Sequence, residues 1–190
     1  ASFYGKNPQQ SKDFGRIISE RQYDRLEKLL QAEKGQITCG GETERSDLYI
    51  APTILERIDW NSPIMEDEIF GPILPIMAYE ELPRVISQVR KLPKPLAAYL
   101  FTENQKAVDY FLKELPFGGG CINDCIVHVA NMHLPFGGVG PSGVGAYHGK
   151  ASYECFTHAK SIIQRSTSLA NGLLFPPYNN KVSLVRKIMK

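Results

Sequence analysis

Ala97-Ala98-Tyr99-Leu100-Phe101 is a short run, apolar on both faces of an extended backbone. Such a run belongs to a sheet covered on both sides rather than one with a wet face. The same reading applies to Ile73-Leu74-Pro75-Ile76-Met77 before it and to Cys121-Ile122 after it. Helical spacing fills the gaps. Leu82, Val85, Ile86 and Val89 make one stripe, led by Glu80-Glu81 and followed by Arg90-Lys91 and Pro93, charges and a breaker that suit the two ends of a helix. A second helix is predicted from about Asn104 to Leu115, with Val108, Phe111, Leu112 and Leu115 inward and Pro116 as its stop. Buried runs separated by helices of about a dozen residues read as parallel strands joined by right-handed crossovers. The predicted class is therefore α/β: an open, mostly parallel sheet with flanking helices. Ligands of such sheets gather beyond the carboxyl ends of the strands, which directs attention to Asn123-Asp124.

Toward the N-terminus, Ser19 and Gln22 have the spacing of a capping box, with Ile18 and Tyr23 placed for a hydrophobic staple and Tyr23, Leu26, Leu29 and Leu30 on one face. The stretch Leu48 to Leu55 carries Pro52, so an edge strand is expected there. After Pro135 glycines multiply and regularity falls, until Ala159-Lys160-Ser161-Ile162-Ile163-Gln164-Arg165 resumes a strand-like pattern. Asn171-Gly172 to Asn180 reads as a turn-rich tail. The expected organisation is a main α/β body over 1–158, a strand over 159–166 and a tail over 167–190.

With 43% hydrophobic and 22% charged positions among 190 residues, the chain has the makeup of one globular domain with a real core. Twenty-two Lys and Arg against 20 Asp and Glu, without long runs, give no electrostatic footprint for nucleic acid. No apolar run approaches the roughly 20 residues of a transmembrane helix, and Ala1 to Lys6 resembles neither a signal nor a transit peptide. A cytoplasmic location is expected. Cys39, Cys121, Cys125 and Cys155 are too sparse for a disulfide framework and read as reduced thiols. The basic, apolar stretch Lys181 to Lys190 suits a docked or frayed terminus, or contact with a membrane surface or partner.

Several groups could carry chemistry. Glu68, in Glu66-Asp67-Glu68-Ile69-Phe70-Gly71-Pro72, could accept from both hydroxyls of a ribose while Phe70 packs alongside; the plainer alternative is a solvated cluster at a helix start. Gly138-Val139-Gly140-Pro141-Ser142-Gly143 matches a dinucleotide fingerprint only formally, since Pro141 interrupts it and no acidic residue lies near the needed offset. Its glycines suit tight turns. Cys121, Cys125 and His128 admit a loose zinc set, completed by Asp124 or His133, or a Cys–His nucleophile pair. No second ligand pair stands out to support the first. Asn123, Ile126, His128 and Phe136 combine apolar bodies with a few polar tips, as the wall of a funnel for an apolar ligand does, or as ordinary packing does. His148 reads as hydrogen-bonded scaffolding or as a substrate-side group.

The acidic-aromatic segment around Glu68, together with Pro135-Phe136-Gly137-Gly138 and the run Gly140 to Lys150 containing Ala146-Tyr147-His148-Gly149-Lys150, resembles the aldehyde dehydrogenase superfamily, most closely its class 3 branch for fatty and aromatic aldehydes. The likeness runs from Ala1 to about Lys187. It implies oxidation of an aldehyde to a carboxylic acid with NAD or NADP, through a cysteine nucleophile and a glutamate base that both precede the matched region. On this resemblance Glu68 holds the nicotinamide ribose, Phe70 borders the nicotinamide, and Gln22 reaches the adenosine ribose, although the capping box alone also explains Gln22. Ile126 and Phe136, and with them Asn123, His128 and His148, fall on the substrate side. Ala159 to Arg165 corresponds to the strand that joins a partner subunit in a homodimer. No metal is implied. The isolated chain is expected to be inactive; the rival reading is a non-catalytic oligomerisation or regulatory module with the same half-fold.

Overall fold

Ser19 opens the first helix, α1 (Glu20–Ala32), its hydroxyl accepting from the Gln22 N–H at 3.4 Å. In the computed structural model, which describes residues 3–166, 177 and 181–188, the chain folds as two units, Ala1–Gln88 and Val89–Lys190. In the first, α1 turns Tyr23, Leu26 and Leu30 inward against Ile50, Leu55, Ile58, Ile64 and Ile73. Burying a side chain such as Leu26 or Leu55, both fully covered, stabilises by about 1.5–3 kcal/mol each. The capping box forms by half. Gln22 does not reach back to Ser19 but accepts from Arg25 Nε at 2.9 Å. The staple is absent, because Ile18 is 92% exposed and its neighbour Ile17, tied by its N–H to the Leu48 carbonyl, takes the place against the core.

Five short strands follow: β1 (Ile37–Cys39), β2 (Thr43–Glu44), β3 (Tyr49–Ile50), β4 (Thr53–Leu55) and β5 (Ile73–Pro75). β2 and β3 pair antiparallel, and the other three order as β1-β4-β5, with β4 and β5 parallel and Thr53 opposite Ile73. The expected edge strand is thus corrected. Pro52 falls in the break between β3 and β4, where no ladder N–H is needed, and this frees β4 to take the central position with Leu55 buried. Helix α2 (Leu82–Val89) follows the predicted stripe, burying Ile86.

In the second unit β6 (Ala97–Leu100) and β7 (Gly119–Ile122) pair in parallel through α3 (Gln105–Glu114), as expected. The Asn104 side chain caps α3, accepting from the N–H groups of Lys106 and Ala107. Phe111 and Leu115 face inward, but Leu112 is 55% exposed, since the ten-residue helix buries only a narrow stripe of itself. Three more helices, α4 (Val127–Ala130), α5 (Gly149–Phe156) and α6 (Val182–Ile188), complete the described residues. The α/β class and the parallel pairing are as read from the sequence. The strands of the described residues lie in three separate sheets, two of them containing a parallel pair. Residues 157–166 carry no strand and are exposed. The turn-rich tail lies outside the described residues except for Pro177.

Candidate functional site

In the first unit the site is built where the segment carrying Glu68 crosses α1. Arg25 donates from Nε to Gln22 Oε1 and from Nη2 to the Ile69 carbonyl, so one guanidinium ties the helix surface to the middle of that segment. A hydrogen-bonded planar fork is suited to this double grip. Two residues on, Gly71 allows the backbone to lie directly over Leu26. These two contacts hold Phe70 with φ +47°, a left-handed conformation that costs an L-residue about 1–2 kcal/mol, and with its ring 75% exposed. Phe70 and Gln22 share one hollow of about 440 Å³ with Arg16, Ile17 and Ile18.

Glu68 itself is exposed and, among the described residues, makes no hydrogen bond or ion pair. It does not sit at a helix start. Glu66, Asp67 and Glu68 come after a 3₁₀ turn, Pro63–Met65, and their carboxylates take no backbone N–H, which removes the capping explanation for them. Arg16 is held from several sides: it donates to the Phe14, Gly15 and Gln9 carbonyls, pairs with Asp47 at 3.0 Å and lies 5.2 Å from the Tyr49 ring centre. Its bond, with help from Gln9, holds the Asp47 carboxyl below the usual carboxylate range.

The second unit gathers three of the predicted substrate-side residues in one aromatic cluster. The His128 ring lies 5.7 Å from Tyr99 and 5.9 Å from Phe136, and Phe136 lies 5.8 Å from His148. Backbone bonds in both directions between Phe136 and Tyr147 close the glycine-rich stretch into a loop, within which Gly137 and Gly138 lie against backbone too closely for a β-carbon. His148 heads α5 with φ +86°, its N–H donating to Ser152 Oγ at 2.8 Å. Among the described residues, His128 Nε2 and His148 Nδ1 are both buried without a hydrogen-bond partner.

Asn123 and Ile126 stand apart from that cluster. The Asn123 amide is spent on Thr102, accepting from its N–H at 2.7 Å and donating to its carbonyl at 2.9 Å. Ile126 is 66% exposed, with φ +68°. Sequence reasoning missed Arg25, Arg16 and Tyr99. Arg25 had a signal in its spacing of three from Gln22 on a helix; Tyr99 becomes visible only once the β6–β7 register sets it opposite Cys121. Cys121 and His128 do meet, Sγ to Nδ1 at 3.6 Å, whereas no group of three or more His, Cys, Asp or Glu among the described residues is placed to hold a metal ion. All four cysteines are free, and no described helix is long and apolar enough to cross a membrane.

The chain is thus an α/β fold that carries an exposed acidic-aromatic segment clamped to a helix in its first unit and an aromatic cluster around a parallel strand pair in its second. The chain belongs to the aldehyde dehydrogenase family, whose model matches residues 3–162. It is 48% identical to the 4,4'-diaponeurosporen-aldehyde dehydrogenase of Staphylococcus aureus over 99% of its own length and 41% of that protein's. To the dimeric NADP-preferring aldehyde dehydrogenase of Rattus norvegicus it is 44% identical, over 92% of the chain and 39% of the relative. Among solved structures, the substrate-bound state of S. aureus AldH matches with a TM-score of 0.95 and 48% identity, over all of this chain and 41% of that one. A Mycobacterium tuberculosis aldehyde dehydrogenase complexed with NAD+ matches at 0.71 and 27%, over 84% and 33%. The chain thus spans about two-fifths of the length of these two curated relatives.

Proposed function

We propose that this chain is the ribose-gripping and substrate-lining part of an NAD(P)-dependent enzyme that oxidises an apolar aldehyde to a carboxylic acid, and that Ala159 to Arg165 form its arm in a homodimer. The observation that carries the reading is the pairing of a carboxylate at Glu68 that has no partner among the described residues with an exposed Phe70 held in a left-handed backbone conformation. Strain of that kind persists where surrounding contacts over-determine it, and ligand clamps are where it collects. The residues fit the cofactor. Two free carboxylate oxygens can accept from a ribose diol, and an exposed phenyl face can lie against a flat heteroaromatic ring. When bound, the dinucleotide supplies a hydride acceptor.

The chain's own part is positional. Glu68 fixes the sugar, Phe70 limits the ring's tilt, Gln22 lines the same hollow, and Arg25 keeps the segment seated. On the substrate side His128, Phe136 and His148 supply the wall; Ile126, exposed, offers an apolar contact at its edge, and Asn123 shapes the loop between them. The nucleophilic cysteine and the base belong, in this reading, to the portion of the family that the chain does not match. The exposed, strandless residues 157–166, with Ile162 and Ile163 at 72% and 95% exposure, suit a segment that becomes a strand by pairing with a second sheet edge. Free thiols and the absence of a membrane-spanning helix among the described residues agree with a cytoplasmic setting.

Exchanging this chain for the matching part of the S. aureus relative gives the test. The exchange should yield an enzyme active on aldehydes, and Glu68→Gln in it should slow single-turnover hydride transfer more than it raises the dinucleotide Kd, because a misplaced ring harms the transition state most. An unchanged single-turnover rate would remove Glu68 from the site. The chain alone should neither reduce NAD with benzaldehyde nor bind dinucleotide tightly, and an aldehyde-dependent nicotinamide signal from it would overturn the division of labour.

A further inference from the structure

Cys121 and His128 form a pair whose polar contact the proposed function does not use, since His128 serves there only as part of the wall. In the parallel β6–β7 ladder Tyr99 stands opposite Cys121, and residues opposite one another in a ladder send their side chains to the same face. Gly119, two residues before Cys121, shares that face. A β-carbon on it would stand 2.9 Å from His128 Cδ2, so the missing side chain makes the space in which the imidazole sits. The ring, 8% exposed, packs edge-on against Tyr99 and brings Nδ1 to 3.6 Å from Cys121 Sγ. Nε2 on its far side is buried with no hydrogen-bond partner. Among the described residues the imidazole therefore has one hydrogen-bonding partner, the sulfur.

We infer that Cys121, activated by His128, is a covalent modification site for aromatic α,β-unsaturated aldehydes. With its proton on Nε2, the neutral ring has a free lone pair on Nδ1, aimed at the thiol. As the sulfur attacks the β-carbon of a conjugated aldehyde, the S–H proton passes to Nδ1, an S–C bond forms, and the π electrons move onto the enolate. The imidazolium then returns the proton to the α-carbon. Thiol and aldehyde add with nothing oxidised, reduced or released, and the adduct has the mass of the aldehyde added. Tyr99, beside both groups and 36% exposed, gives an aryl substituent a ring to pack against, which selects aromatic over short alkyl electrophiles. Thiol nucleophilicity of this kind depends on a neighbouring base and not on exposure alone. The site is independent of the dinucleotide reading, since it lies within the second unit and requires no cofactor.

The chain supplies its own controls in Cys39, Cys125 and Cys155, which are all more exposed than Cys121. The full 190-residue chain is treated at neutral pH with limiting cinnamaldehyde, the adducts are fixed by borohydride, and each cysteine is followed by peptide mass spectrometry. Cys121 should be modified first, by about a hundredfold over each exposed cysteine, the low end of what a positioned base contributes, and a lead under about tenfold would not need one. His128→Gln should remove that lead while circular dichroism stays unchanged. A Cys121 rate at or below those of the three exposed cysteines overturns the proposal without any variant, and so does a lead that survives in folded His128→Gln. If the variant unfolds, the wild-type ranking together with a greater lead for cinnamaldehyde than for crotonaldehyde decides the matter, equal leads counting against the role of Tyr99.

Discussion

A β-carbon added to Gly71 would stand 2.7 Å from both terminal carbons of Leu26, a side chain with no exposed surface. The segment carrying Glu68 and Phe70 is therefore seated on α1 through the absence of a side chain. Gly71→Ala should destabilise the chain by about 1–3 kcal/mol, the range for overpacking, measured by urea unfolding. Leu26→Ala by itself should cost about 2–5 kcal/mol. In the double variant the new methyl enters the vacated space, so the two losses should sum to more than the measured one. Strict additivity would show that the contact does not seat the segment.

Arg25 is the second fastening. Its guanidinium spans Gln22 Oε1 and the Ile69 carbonyl, and a lysine ammonium on a flexible stem lacks the planar fork for both. Arg25→Ala should raise hydrogen exchange at the amides of Ile69 to Gly71 by about fivefold, corresponding to a net hydrogen-bond contribution of roughly 1 kcal/mol. Arg25→Lys should restore little of it. Full protection in the lysine variant would mean that charge, not geometry, holds the segment.

These fastenings explain which parts of the fold were legible. Helices α1 and α3 announced themselves through their apolar stripes, and α1 also through Ser19, because caps and stripes are local. The parallel runs were readable because both of their faces are apolar. Arg25 to Ile69 spans 44 positions, and Gly119 to His128 is a fit between a strand and a later helix, so neither leaves a periodic trace. Local pattern also failed at Ile18 and Leu112, where which apolar residue turns inward is decided by how much partner surface is available. Pro52 was informative as a break and misleading as an edge marker. Of the candidate site, Glu68, Phe70 and His128 were suggested by the family resemblance, since their residue types alone also suit a solvated cluster and ordinary packing, while the contact of His128 with Cys121 depends on the fold.

Acid should weaken the first unit through its exposed carboxylates. Arg45 bonded to Asp24 holds that carboxyl below its ordinary value, and Arg16, with Gln9, does the same for Asp47. A folded pKa below the unfolded one means that the stabilisation is complete above the unfolded value, about 3.9 for Asp, and is lost as pH falls through the folded value. The urea midpoint should therefore be flat near neutral pH and decline below about pH 4. Asp47→Asn should lower the neutral-pH midpoint slightly and make the acid decline shallower. Added salt should have a similar but smaller effect, since these pairs are exposed. An acid decline unchanged in both Asp47→Asn and Asp24→Asn would place the acid-sensitive groups elsewhere.

Asn123 combines two features that substitution can separate: φ +58° and an amide that both accepts from and donates to the Thr102 backbone. Glycine keeps the backbone freedom and loses both bonds. Alanine loses the bonds and also takes on the left-handed strain, about 1–2 kcal/mol for a residue with a β-carbon. Aspartate retains the acceptor for the Thr102 N–H but turns a carboxylate oxygen toward the Thr102 carbonyl, where a donor is required. Thermal unfolding should rank wild type first, then Gly, with Ala below Gly by about 1 kcal/mol, and Asp should improve as pH falls and its carboxyl gains a proton to donate. If Gly and Ala were equal, the backbone at 123 would not be strained, and the amide alone would account for the asparagine at the end of β7.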